Sequence, residues 1–171
     1  KWLLEIISFI PATMSRDEQY EELLSNISAM VADENDWISV MATAVCELHH
    51  TFDFFNWTGI YRVTEPDVLK IGPYQGTHGC LTIPFDKGVC GASARSKKTQ
   101  LVPDVSKRSD HIACSATTQS EIVIPICTPD GTLIGVLDVD SDELNAFDDT
   151  DISGLEKITT FLGVHYASIK A

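Results

Sequence analysis

EIVIPICTPDGTLIGVLDVDS, residues 121–141, decides the fold. Two runs of apolar and β-branched residues, 121–127 and 132–140, flank Thr128-Pro129-Asp130-Gly131. Proline pre-sets one turn dihedral, aspartate bonds back to its own backbone, and glycine supplies a positive φ. The stretch therefore predicts a β-hairpin. Upstream, WTGIYRV (57–63), VLKIGPY (68–74), CLTIPF (80–85) and TQLVPDV (99–105) are short runs of the same kind. GVCGASARS (88–96) falls between the third and fourth of these six strands and predicts a short helix.

On both sides of the strands the apolar period changes to that of a helix. Residues 17–31 place Tyr20, Leu23, Leu24, Ile27 and Val31 on one stripe behind an acidic first turn. Residues 36–49 do the same with Trp37, Val40, Met41, Ala44, Val45 and Leu48. At the C-terminus Asp148 suits an N-cap, and Phe147 and Ile152 occupy the two positions of a hydrophobic staple. Ile152, Leu155, Ile158, Leu162, Tyr166 and Ile169 mark the face to be buried. The expected fold is α+β: one domain over 17–171, with about six strands in a mostly antiparallel sheet and two or three helices outside it.

Residues 1–16 read as an N-terminal extension. KWLLEIISFIPA imitates a signal peptide, but Glu5 interrupts the apolar run and only one Lys precedes it, so an amphipathic segment is expected. The first residue is not Met, which leaves a longer targeting segment open. No run of about 18 apolar residues is present to span a membrane.

Twenty-five acidic residues face 12 basic ones, a formal net charge of −13. Such a surface repels phosphate backbones and anionic lipid, so neither nucleic acid nor membrane is an expected partner; an amino group on a ligand would be attracted. Five cysteines, an odd number in a chain that reads as cytoplasmic, argue against a static disulfide framework and for redox or metal chemistry. Cys46, in a helix, and Cys127, closing a strand, are expected to be buried small hydrophobes. Cys80 opens a strand after a turn-rich stretch, Cys90 stands between glycines at a loop-to-helix junction, and Cys114 lies in the long irregular segment 104–120. Those three positions predict accessible thiols, and a helix N-terminus lowers a thiol's pKa.

Asp138 and Asp140 alternate with Leu137 and Val139, so period two puts both carboxylates on one face of a strand. That face is either solvent or a concave acidic site that Glu121, on the neighbouring strand, would join. Trp57, Gly59 and Tyr61 likewise share one face of their strand, either as ordinary core or as an aromatic wall for an amine-bearing ligand. His78, Cys80, Cys90, His111 and Cys114 contain enough ligands for zinc, but no paired C-x-x-C knuckle accompanies them. There is no G-x-S-x-G elbow and no nucleotide-binding glycine signature.

These residues together resemble the free methionine-(R)-sulfoxide reductases, a family built on a single GAF domain. The resemblance spans about 33–141 and is carried by NWTGIY, LKIGPYQG, CLTIPFDKGVCG, LVPDV, DHIACSATTQSEIVIPI and LIGVLDVDS. The family spaces three cysteines ten and then twenty-four residues apart, as Cys80, Cys90 and Cys114 are here. It implies that Cys114 is the nucleophile, Cys80 the resolving thiol, and Cys90 a third thiol that relays or substitutes. Glu121, Asp138 and Asp140 become the carboxylates around the substrate, with Glu121 and Asp140 also catalytic, and Trp57 and Tyr61 become the aromatic wall.

The resemblance further implies a sulfenic acid, then an intramolecular disulfide, and regeneration by thioredoxin. No metal and no bound cofactor is expected; the family often forms homodimers. Ser115, where the family commonly has Asp, and His78-Gly79, in place of Pro-Ala, are departures that leave the reacting groups intact. Because the GAF fold also serves as a sensor, a small-molecule or redox sensory module without turnover is the alternative.

Overall fold

The computed structural model describes residues 14–108 and 117–170. The chain runs α1 (Arg16–Met30), α2 (Trp37–Thr51), β1 (Trp57–Glu65), β2 (Val68–Gln75), β3 (Thr82–Pro84) and α3 (Gly88–Ser96). It continues through β4 (Gln100–Val102), a 3-10 turn (Val105–Lys107), β5 (Ser120–Cys127), β6 (Leu133–Ser141) and α4 (Asp149–Lys170). The six strands form one sheet in the order β3-β2-β1-β6-β5-β4. Every neighbouring pair is antiparallel, so the α+β reading holds. The expected hairpin is β5–β6: Gly131 takes φ +83, its N–H donates to the Thr128 carbonyl at 2.8 Å, and Thr128 N–H donates to Thr132 O at 2.9 Å.

Helix ends are fixed by side chains that satisfy otherwise unpaired backbone donors. Asp148 accepts from Thr150 N–H at 2.8 Å, as expected of an N-cap. Ser15 and Glu18 form a reciprocal capping box on α1, and Asp36 caps α2 through Ile38 N–H at 2.9 Å. Asp151, fully buried, accepts from Tyr20 Oη at 2.9 Å and pairs with Arg16 Nη1 at 2.6 Å, which ties α1 to α4.

The sheet has two unlike sides. Thr58, Ile60, Ile122, Ile124, Leu137 and Val139 face one way. Most of them join the buried stripes of α1, α2 and α4 in the main core, with Leu155, Ile158 and Leu162 at its centre. On the opposite side α3 lies over the sheet, and Val89, Cys90 and Ala94 pack with Trp57, Tyr61, Leu69, Val123 and Val136.

The four α-helices among the described residues are the three expected from apolar periodicity and the short one expected at 88–96. Several other expectations change. The third and fourth strands shrink to three residues each: β3 starts at Thr82 and leaves Cys80 in the connection, and β4 ends at Val102 before Asp104 caps the 3-10 turn. Cys46 and Cys127 are half-buried, not sealed in the core, because each lies at the margin of its element's apolar face. Residues 1–13, Cys114, Ser115 and His111 lie outside the described residues.

Candidate active site

Strand register assembles the site. Trp57 pairs with Asp140, and Asp140 with Glu121, in one row across β1, β6 and β5; Gly59 pairs with Asp138 in the next row, and Tyr61 with Val136 in the one after. Directly opposed residues in a sheet project to the same face. Trp57, Tyr61, Glu121, Asp138 and Asp140 therefore converge on the α3 side, as period two predicted. The face is not solvent. Glu121 is 5% and Asp138 6% exposed, and Asp140 is half-buried.

Trp57 and Tyr61 lie together on that face, buried in the core of the α3 side, and Tyr74 joins them. The indole of Trp57 stacks on Tyr61 (centroids 5.9 Å apart, 25° between planes) and on Tyr74 of β2 (5.5 Å, 18°). It lies flat across the strand because Gly59 offers no side chain; a Cβ there would sit 2.7 Å from Trp57 Cζ3 and 2.8 Å from Tyr74 Cβ. Sequence reasoning missed Tyr74. Its signal was the Gly59–Tyr74 pairing, visible only once the β1–β2 register is known.

The 76–81 connection covers this wall. Trp57 Nε1–H donates to Thr77 O at 2.9 Å, and Ile71 N–H donates to Leu81 O at 3.2 Å, so the segment is held near both ends. Gly76, at φ +104, makes the bend that an L side chain would strain. At Gly79 a Cβ would stand 2.8 Å from Trp57 Cζ2 and 3.1 Å from Tyr61 Oη, so the backbone before Cys80 presses onto the aromatic floor. Cys80 is disulfide-bonded, whereas Cys46, Cys90 and Cys127 are free thiols.

Cys90 overturns an expectation. It is buried, not accessible, and its Sγ–H donates to Asp138 Oδ2 at 3.3 Å. Burial, then the charges of Asp138 and Glu121, pushes its thiol well above the ordinary range, opposite to the lowering expected of a helix N-terminus. The carboxyls are shifted the same way. Burial raises Asp138, with Asp140 and Glu121 adding repulsion; burial raises Asp140, with Glu121 and Asp142 behind it. Tyr61 is likewise pushed up, by burial first and then by Asp138. Buried acids that crowd one another each make it harder for the next to ionise, which is the direction of both aspartate shifts.

The zinc set does not gather among the described residues: His78 is exposed, Cys80 is in a disulfide and so carries no thiolate, and Cys90 turns to Asp138. No described helix is long and apolar enough to cross a membrane.

Comparison with known proteins places this geometry. The GAF-domain family model matches residues 31–165. The chain is 44% identical to GAF domain-containing protein A of Dictyostelium discoideum, over 86% of this chain and 92% of that protein. It is 36% identical to the free methionine-R-sulfoxide reductase of Saccharomyces cerevisiae, over 88% and 87% of the two chains. It superposes with a TM-score of 0.87 on the free methionine-R-sulfoxide reductase of Neisseria meningitidis solved with its substrate, at 39% identity and covering 93% of this chain and 95% of that one. With its buried acids and stacked aromatics on one face of a sheet of this topology, the chain belongs to the GAF-domain family and, within it, to the free methionine-(R)-sulfoxide reductases.

Proposed function

We propose that the protein reduces free L-methionine-(R)-sulfoxide to methionine, with Cys114 as nucleophile, Cys80 as resolving thiol and thioredoxin as the outside dithiol. A sulfoxide sulfur becomes electrophilic when its oxygen takes a proton. The acid group at 121, 138 and 140 supplies one, and the upward push of burial and crowding on the Asp138 and Asp140 carboxyls supports that role. The Cys114 thiolate attacks the sulfoxide sulfur, forming a sulfur–sulfur bond as the S–O bond breaks and the protonated oxygen leaves as water. A water then adds to the Cys114 sulfur, the sulfur–sulfur bond breaks, methionine leaves, and the cysteine is left as a sulfenic acid with one proton released. Cys80 then displaces the sulfenic oxygen as water, leaving a disulfide that thioredoxin opens by thiol exchange. The disulfide-bonded state of Cys80 supports its role as the resolving thiol.

The observation that carries the proposal is the row Trp57–Asp140–Glu121, with Asp138 one row away. It brings candidate proton donors and an aromatic surface together on one face of the sheet. An ionised member of the acid group receives the substrate's ammonium, and the proton-bearing member faces the sulfoxide oxygen. Exchanging methyl and oxygen would turn the oxygen toward Trp57 and Tyr61, which is the basis for rejecting the S epimer. NADPH consumption with thioredoxin, thioredoxin reductase and each free epimer is the test. Turnover of the R epimer alone is expected; equal rates on both, or activity on peptide-bound sulfoxide only, would sink the proposal. Cys114→Ser abolishes turnover, and Cys80→Ser releases one methionine per enzyme unless Cys90 substitutes. Ligand binding with no reduction of either epimer would favour the sensory alternative.

A further inference from the structure

Cys90, Glu121 and Asp138 come from α3, β5 and β6. Their ligand atoms all lie within 4.8 Å of one another, and all three residues are buried. The centre of a triangle with sides of that length is about 2.8 Å from each corner, so modest side-chain rotation brings all three to zinc–sulfur and zinc–oxygen distances. Asp138 Oδ1 is buried with no hydrogen-bond partner among the described residues, while Oδ2 already receives the Cys90 proton. An acceptor sealed from water without a donor is costly, and a cation would relieve it.

We propose that Cys90, Glu121 and Asp138 form a three-ligand site for a thiophilic divalent cation of the zinc and cadmium type, which excludes substrate while bound. The donor set selects the class. One thiolate with two carboxylates suits zinc or cadmium, whereas magnesium and calcium avoid sulfur. Three protein ligands also leave a fourth position for water or a small oxygen ligand. On binding, the Cys90 S–H bond breaks, its proton passes to solvent, and the sulfur–metal bond forms; no electron is transferred. The two carboxyls release whatever protons they hold. This site shares only Cys90 with the zinc set considered from sequence, and it needs neither Cys80 nor Cys114.

That independence dictates the experiment. Protein with its Cys80 disulfide intact, carrying Cys46→Ser and Cys127→Ser to remove the two other free thiols among the described residues, is titrated with cadmium chloride. Thiolate-to-cadmium absorbance in the ultraviolet is followed, with calorimetry for stoichiometry. One cadmium per chain with a thiolate band is expected. Adding Cys90→Ser should erase the band, and Glu121→Gln or Asp138→Asn should each weaken binding by on the order of tenfold or more. Zinc should displace cadmium; magnesium should not. Protection of Cys90 from a small alkylating reagent by zinc in the otherwise unaltered protein repeats the test without touching a ligand. Absence of a band, a band that survives Cys90→Ser, undiminished affinity in both carboxamide variants, or no protection would each overturn the site. None of these readouts requires sulfoxide reduction, so failure here leaves the proposed activity standing, and failure of the activity leaves this site to be judged alone.

Discussion

Leu137 and Val139 are separated by Asp138 and followed by Asp140 on a single strand, yet the two pairs do opposite work. Leu137 and Val139, both fully buried, close the main core against α1, α2 and α4. Asp138 and Asp140 point the other way, towards the α3 side, where burial and mutual repulsion push both carboxyls well above the ordinary aspartate range. The helix-covered side lowers its free energy by hiding hydrocarbon. The α3 side gives some of that back by hiding carboxyls beside a thiol. The division teaches that stability and chemistry in this molecule are assigned residue by residue through the pleat.

The comparison makes its strongest demand at the acids. Asp138→Asn or Asp140→Asn should lower kcat/KM for the R epimer by roughly 10²- to 10⁴-fold, the usual worth of a positioned proton donor. Stability should move the other way. A carboxyl whose folded pKa is raised contributes its full stability below its unfolded pKa and loses it as pH climbs towards the folded value. An amide escapes that loss. The asparagine variants should thus melt higher than the unaltered protein at mildly alkaline pH, with the advantage fading as pH falls towards the ordinary aspartate value of 3.8. Thermal melts across pH check the sign.

The apolar side should respond in the complementary way. Leu137→Ala or Ile122→Ala should cost about 2–5 kcal/mol in denaturant unfolding, because both side chains are fully buried. Well below the melting temperature, kcat/KM per folded molecule should be unchanged. A large kinetic defect in Leu137→Ala at full folding would break the division.

Smaller effects sharpen it at the pocket wall. Gly79→Ala should raise KM more than it lowers kcat, since the new methyl presses on Trp57 and Tyr61 without touching an acid. Tyr74→Ala removes one stacking partner of Trp57. A stacked pair is worth about 0.5–1.5 kcal/mol, so KM should rise a few-fold, and Tyr74→Phe should restore it. Steady-state kinetics of the four proteins separate these outcomes.

Much of this division was written in the sequence, for a reason specific to β-structure. Alternation at LDVD assigns faces without any tertiary knowledge, and the Pro129-Asp130-Gly131 turn sets β5 against β6, so the meeting of Glu121 with the aspartates followed. Trp57 and Tyr61 were placed by the same period. What escaped depended on packing between elements. The glycines around Cys90 read as a loop opening that would expose the thiol. Instead Gly91 lets α3 press against the chain before it, where a Cβ would lie 2.6 Å from Phe85 O, and this close approach buries Cys90. Tyr74 escaped because the β1–β2 pairing shifts register between Gly59 and Tyr61, so counting by twos from either strand does not find the partner.

The central claim is that the acid side of the sheet holds a protonated carboxyl at neutral pH. Infrared difference spectroscopy of the protein in water and in heavy water reads this directly, through the stretch of a protonated carboxylic acid. The account expects that band at pH 7, reduced in Asp138→Asn and in Asp140→Asn and unaltered in Leu137→Ala. A spectrum with every carboxyl ionised at pH 7, in protein that still reduces the sulfoxide, would contradict it.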